Sequence, residues 1–281
     1  MSGKLPDQDV TVADVLDVLD AQFPLAEAEA WDRVGLLSGD PARPVKRIVC
    51  ALDPCVETLS RARQAGADLL VTHHPTYLQP EPDAIPAYGL VLEAVARGLE
   101  IALIACHTNL DASEKARLSL GAGLPLTSCG PLGGARDGQE QAPPAFAQLW
   151  APARPLTVEQ IAGLLVRHHQ APVRLTRAPA LTAAPTKIAT ATGAGGDATE
   201  AAIEAGADLL ITGELKYHQL IEARDRGLSC IELGHDVSEW PLAALLCDTL
   251  TVEYADREVS VTLLERDLPS QIITAKDSIH E

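Results

Sequence analysis

An α/β protein made of two related halves is the fold this sequence predicts, and three observations predict it. The segment "AGADLLVTHHPTYLQ" at 65–79 returns as "AGADLLITGELKYHQ" at 205–219. Each copy ends a strand–helix–strand pattern, in which short β-branched runs flank Ala-rich amphipathic helices. The unusual polar residues gather directly after strand candidates, where open α/β sheets place their ligand sites.

The elements follow in order. "VKRIVCALDP" is a strand and its loop, and "CVETLSRARQAGADLLVT" is a helix and the next strand. "TKIATATGAGGD" and "ATEAAIEAGADLLIT" repeat that pattern. A helix over 89–97 leads to the strand "IALIAC" at 101–106, and one over 217–226 leads to "LSCIEL" at 228–233. "LTVEQIAGLLVRHHQ" is a helix with Thr157 as N-cap and Glu159 and Gln160 in its first turn. Between the halves lies "CGPLGGARDGQEQAPPAF", 129–146, rich in Gly and Pro. A helix from Ser238 and a strand in "EVSVTLLE" close the chain and return to the first half. The expected domains are 1–128 with 238–281, and 129–237.

Composition bounds the function. The 281 residues are 47% hydrophobic, enough for substantial cores, but only 3% aromatic, so aliphatic side chains must fill them. The net charge of −17 repels nucleic acid and anionic membrane surfaces. The six cysteines form no CxxC pair, "MSGKLPDQDV" has no apolar signal core, and no apolar run reaches membrane length. The expectation is a soluble cytoplasmic protein with reduced thiols.

Four clusters carry the chemistry: His73 and His74 after "DLLVT", His107 and Asp111 in "HTNLD", Glu214 and His218 in "GELKYH", and His235 and Glu239 in "GHDVSE". Adjacent histidines on a strand diverge; just past its end they can converge on one cleft. Imidazoles and carboxylates together suit zinc, iron or manganese. Two such ions in a hydrolytic site lie ~3.5–4 Å apart, a gap that a carboxylate can bridge. Glu239 is the natural bridge, because Ser238 reads as an N-cap and places it in the first helical turn.

Other features have plainer readings. "TGAGGD", 192–197, reads either as an anion-holding loop at a helix N-terminus or as a tight glycine turn, and the lack of a following GK[ST] favours the turn. His168 and His169 read as a solvated helix face, and Cys106 as the small apolar end of a strand. Asp53 is either at the site's edge or an N-cap, and Pro54 favours the cap. Asp32 is left open.

The blocks "WDRVGLLSGD", "DLLVTHHP", "CHTNLDA", "ITGELKYH" and "LGHDVSE" resemble, in order, the signatures of the GTP cyclohydrolase 1 type 2 homologues, also called Ngg-interacting-factor-three-like proteins. Arg33 and Ser38 vary the first block. The resemblance implies a two-domain α/β protein with a dinuclear metal site, in a ring-shaped homohexamer with the sites facing inward. By motif, His73 and His74 each ligate one metal. Asp111 joins His74, His235 joins His73, and Glu239 bridges. Each chain would hold two divalent ions, zinc, iron or manganese. His107, Glu214 and His218 are the candidates for proton transfer, and Lys216 and the glycine loop for phosphate binding. The expected activity is hydrolysis of a nucleotide or related small molecule by metal-activated water. The alternatives are a metal-binding oligomeric scaffold that binds partners with little turnover, and a two-metal phosphatase or phosphodiesterase.

Overall fold

The repeat in the sequence is a repeat of element order. The structure, a computed structural model, describes residues 9–78, 87–133 and 146–266. The first half runs α1 (Val12–Gln22), β1 (Gly35–Ser38), β2 (Arg47–Ala51), α2 (Val56–Gln64), β3 (Leu69–Thr72), α3 (Ala87–Gly98) and β4 (Ala102–Ala105). Two short helices, α4 (Thr108–Asp111) and α5 (Glu114–Ser119), and an antiparallel pair, β5 (Leu126–Leu132) and β6 (Ala147–Pro152), lead on. The second half repeats the order: α6 (Val158–His169), β7 (Arg174–Thr176), β8 (Ile188–Ala194), α7 (Gly196–Glu204), β9 (Leu209–Glu214), α8 (Tyr217–Asp225) and β10 (Ser229–Glu232). A long helix, α9 (His235–Glu253), and β11 (Ser260–Leu263) follow.

Two sheets result, ordered β1-β4-β3-β2-β11 and β5-β6-β8-β9-β10-β7. In the first, β4, β3, β2 and β11 are parallel and β1 is antiparallel at the edge. In the second, β8, β9 and β10 are parallel, with antiparallel β7 beside β10. Ile48 pairs with Leu69 as Ile188 pairs with Leu209, both partners shifted by 140 residues. The shared "AGAD" has the same task in each copy. Asp68 accepts the N–H groups of Lys46 and Arg47, and Asp208 those of Thr186 and Lys187, which ties the start of each strand pair. The closing strand returns to the first half, as β11 beside β2. The expected boundary at 128/129 falls inside β5, and 134–145 of the Gly/Pro segment lie outside the described residues.

The aliphatic runs fill both faces of each sheet, as parallel strands require. Leu69, Val71 and Ile104 pack with Val15, Leu19, Leu246 and Leu250, from α1 and α9. Leu70 and Leu103 pack on the other face with Leu59 and Leu92, from α2 and α3. In the second half Ile211 and Ile231 meet Ile161 and Leu165 of α6, while Leu210 and Cys230 meet Ala202 and Leu220. α9 serves both: Val237 lies in the second core and Leu242, Leu246 and Leu250 in the first. Each buried leucine contributes about 1.5–3 kcal/mol, which offsets the ~3 kcal/mol that Pro241 costs inside the helix.

Three local readings are corrected. Ser238 is not the N-cap of α9. That position belongs to Gly234, whose φ of 99° suits glycine, and the helix starts with His235. The Ser238 hydroxyl is spent inside the helix: it accepts the Gly193 N–H at 2.8 Å and donates to the His235 carbonyl at 2.9 Å. Asp53 is not an N-cap either; Cys55 caps α2, its Sγ accepting the Thr58 N–H. The last turn of α6 is only half solvated. His168 is exposed, but His169 turns inward by about 100°. Its Nε2 is buried without a partner, and burial followed by the His168 charge pulls its pKa down to about 4. The Thr157 cap is as read, in a capping box with Gln160.

Candidate metal centre

The hydrogen-bond ladder of the first sheet runs on past β3. The His73 N–H reaches the Ala51 carbonyl and the His74 N–H that of Leu52, and Thr72 Oγ1 donates to the His74 carbonyl at 2.7 Å. The two histidines are therefore fixed although they stand in a loop. His107 and Asp111 follow β4 on α4, Glu214 ends β9, and His235 and Glu239 stand one turn apart on α9.

Four imidazoles are oriented alike. His73 Nδ1 lies 2.9 Å from the Cys106 carbonyl, and His74 Nδ1 lies 2.7 Å from Asp53 Oδ1. His107 Nδ1 is 3.0 Å from Asp32 Oδ1, and His235 Nδ1 is 3.0 Å from Glu214 Oε1. A carbonyl or an ionised carboxylate can only accept, so each Nδ1 carries the hydrogen. In the neutral ring each Nε2 then has a lone pair, the tautomer in which histidine binds metals. The ligating atoms of His73, His74 and His107 lie within 4.8 Å of one another, as do those of His74, His235 and Glu239.

Glu239 stands in the middle. Its Oε2 is 2.9 Å from His74 Nε2 and 3.0 Å from His235 Nε2, and its Oε1 is 3.9 Å from His73 Nε2. Asp111 Oδ1 is 3.7 Å from His73 Nε2. Yet His73 Nε2, Asp111 Oδ1 and Glu239 Oε2 are buried without a hydrogen bond. Lone pairs that converge in a buried place repel one another unless a cation or protons lie between them. The donor set fits divalent cations.

With protons alone the cluster is strained toward charge. Burial lowers the His74 pKa, but the Asp53 and Glu239 carboxylates outweigh it and bring it up to about 10. Glu239 raises His235 to about 9 against burial. His73 also moves up, Asp111 and Glu239 overcoming its burial. Burial would raise Glu239, but His235, His73 and His74 hold it well below the usual carboxylate range. Asp111 is raised, burial being the largest cause. Asp32 is held down at about 2: burial opposes this, and His107 and Thr108 prevail.

Asp111 Oδ1 stands by His73 Nε2, and His235 and His74 share Glu239 Oε2. The Nδ1 partners decide this. The Cys106 carbonyl turns His73 toward α4, and Asp53 turns His74 toward α9.

Comparison with known proteins places the fold. The profile of the Duf34/NIF3 (NGG1p interacting factor 3) family matches residues 10–269. The chain belongs to this family. A Streptomyces coelicolor protein named "GTP cyclohydrolase 1 type 2 homolog" is 31% identical over 240 residues, 83% of each chain. A Clostridium perfringens protein of the same name is 29% identical over 236 residues, 82% of this chain and 87% of that one. Among solved structures, a Staphylococcus aureus hypothetical protein superposes with a TM-score of 0.80 at 22% identity, covering 95% of this chain and all (100%) of the other. Reduced HcgD from Methanocaldococcus jannaschii gives 0.74 at 20% identity, covering 92% and 99%. These likenesses show a shared fold.

Within this NIF3-family fold, not every residue singled out reaches the cluster. His107 does. Glu214 stands behind His235 as its Nδ1 partner and makes no ion pair with Lys216 among the described residues. His218 is exposed on α8 and has no hydrogen bond or ion pair among the described residues. Three contributors were not assigned from the sequence. Asp32 holds His107 with one oxygen and the N–H and hydroxyl of Thr108 with the other. Asp53, offered two readings, takes the site-edge one. Gly193 makes room: a Cβ there would stand 2.0 Å from Glu239 Oε1. The "TGAGGD" turn is thus glycine-rich because side chains pack against it. Its signal was available in the repeat, where Gly193 occupies the position of Asp53.

Proposed function

We propose that this NIF3-family chain is a metal-dependent hydrolase that binds two divalent cations, zinc, iron or manganese, and acts on a nucleotide or related small molecule. One observation carries the reading: four histidines from three regions of the chain spend Nδ1 on an oxygen, and three of them, His73, His74 and His235, turn Nε2 to Glu239, with His107 beside His73 and His74. His73 and Asp111 would hold one cation, His74 and His235 the other, with Glu239 shared. Bound there, the cations supply Lewis acidity, which lowers the pKa of water and polarises the bond under attack. Asp53 and Glu214 orient His74 and His235. His107, set by Asp32, moves a proton at Nε2. The names of the Streptomyces and Clostridium relatives support a nucleotide substrate. The reading includes the homohexamer that the sequence resemblance implies, and a cytoplasmic location. Among the described residues no helix is long and apolar enough to cross a membrane.

Reconstitution with Zn²⁺, Mn²⁺ or Fe²⁺, desalting and elemental analysis should find up to two ions per chain. A nucleotide screen read by mass spectrometry should then find a product heavier by one water, or cleaved by one. No retained metal would overturn the site. Retained metal with no product across the screen would leave a metal-binding scaffold.

A further inference from the structure

The chain is poor in aromatic side chains, with three Trp, four Tyr and two Phe. Four of these nine have evident work in the fold. Phe23 and Tyr254 fill the first core, Trp150 is buried with its Nε1–H donating to Thr190, and Tyr77 lies under the Arg33 guanidinium. Trp31 is different. It remains 47% exposed, and its ring stands 6.2 Å from that of His107, nearly perpendicular at 75°. His107 in turn lies 5.1 Å from His73 and 5.5 Å from His74, ring centre to ring centre. One imidazole thus separates an open indole from the metal-binding histidines.

Among the described residues the indole joins none of the hydrophobic cores. The turn that carries it is held by other groups. The Asp32 N–H bonds the Glu29 carbonyl, the Glu29 N–H bonds Thr108 Oγ1, and the Asp32 carboxylate grips His107 and Thr108. Each of these bonds survives any side chain at position 31. The result is a large, flat surface on a pinned turn, beside the site and half in water. Leaving that much apolar area exposed forgoes its burial energy, and flat π-faces recover it by stacking on flat rings.

We infer that Trp31 is the platform on which the substrate's ring stacks, and that the substrate carries a flat heteroaromatic ring system such as a purine. The inference rests on the proposed hydrolytic site and names the part of its substrate that the indole holds. Stacking on an indole is tolerant of ring identity but needs a ring. It sets the ring beside His107 and leaves the ligands of the metal centre untouched.

The test uses the metal-loaded full-length protein and two probes, GMP and ribose 5-phosphate, which shares the sugar phosphate but has no ring. Affinities are measured by calorimetry for wild type, Trp31→Phe and Trp31→Ala. Metal content and oligomeric state are measured on the same samples. Trp31→Ala should weaken GMP binding roughly tenfold or more, within the range for loss of one base–aromatic stack. Trp31→Phe should keep most of the affinity, and ribose 5-phosphate should bind all three alike. GMP binding that is absent in wild type, or equal in Trp31→Ala, overturns the inference. So does equal weakening of both probes, or dissociation of the oligomer, since the indole would then be structural. Ring-dependent GMP binding in a protein that retains no metal would uphold the platform and sink the hydrolase.

Discussion

The two halves share a scaffold and divide the work at its strand ends. Shifted by 140 residues, His73 corresponds to Gly213, His74 to Glu214 and Asp53 to Gly193. The first half places side chains in the cluster. The second half removes them: a Cβ on Gly213 would meet Ser238 Oγ at 2.6 Å and His235 Cα at 3.0 Å, and one on Gly193 would meet Glu239 Oε1. The corresponding positions thus provide two histidines and a supporting carboxylate on one side, and a seat for α9 on the other. Glu214 keeps a supporting role, because its carboxylate reaches His235 as Asp53 reaches His74. A duplicated strand end can therefore be kept as architecture while its chemistry is exchanged for fit to a helix.

The comparison breaks most completely at Glu239, the residue both halves surround. Glu239→Gln keeps the size and removes the charge between the two proposed cations. It should hold one metal at most and lose hydrolysis, with fold and oligomer intact, as metal titration by calorimetry beside size-exclusion chromatography would show. Two metals at wild-type affinity would refute the shared role. Next comes Gly193→Ala, which gives the second half a side chain where the first has one. The methyl displaces Glu239, and φ of 57° strains alanine. Metal should be lost from both positions, with a stability loss of about 1–3 kcal/mol in denaturant unfolding. Alanine tolerated with full metal content would show that Glu239 is not confined by that glycine.

The supporting carboxylates should matter less and alike. Asp53→Asn and Glu214→Gln should each weaken metal binding roughly 10–100-fold, the first through His74 and the second through His235. Each should affect mainly one of two resolved affinities; loss of both in either variant would contradict the division.

A gentler test uses protons. In metal-free protein His74 is raised to about 10 and His235 to about 9, from 6.5. Raised histidines stabilise the fold fully below pH 6.5, and that contribution is lost as pH rises through their folded values. The melting temperature of the metal-free protein should fall between neutral pH and about 10. Adding Zn²⁺ at pH 7.5 should release about two protons per chain, measurable with an indicator dye. The smallest effect is expected at the other histidine pair. His168→Ala with His169→Ala should leave metal content unchanged, because among the described residues neither joins a group that could hold a metal.

The sequence by itself determined the repeat, the strands, and the residue types that stand at their ends. These are local matters: periodicity, capping boxes such as Thr157–Gln160, and a polar block after an apolar run leave their marks within a few residues. It also carried the five family blocks, and with them most of the residues that gather, though not Asp53 or Gly193, which lie outside the blocks. The tertiary structure decided how they gather. Which histidine of the pair sits by Asp111 depends on the carbonyl of Cys106 and the carboxylate of Asp53, which lie 33 and 21 residues from their imidazoles. The value of Asp32 lies 75 residues away in His107. Ser238 looks like a cap in isolation, and becomes an interior residue because Gly193, 45 residues back, claims its hydroxyl. Such choices turn on the directions in which distant strand ends point. Those directions are fixed only when both sheets have packed against α9.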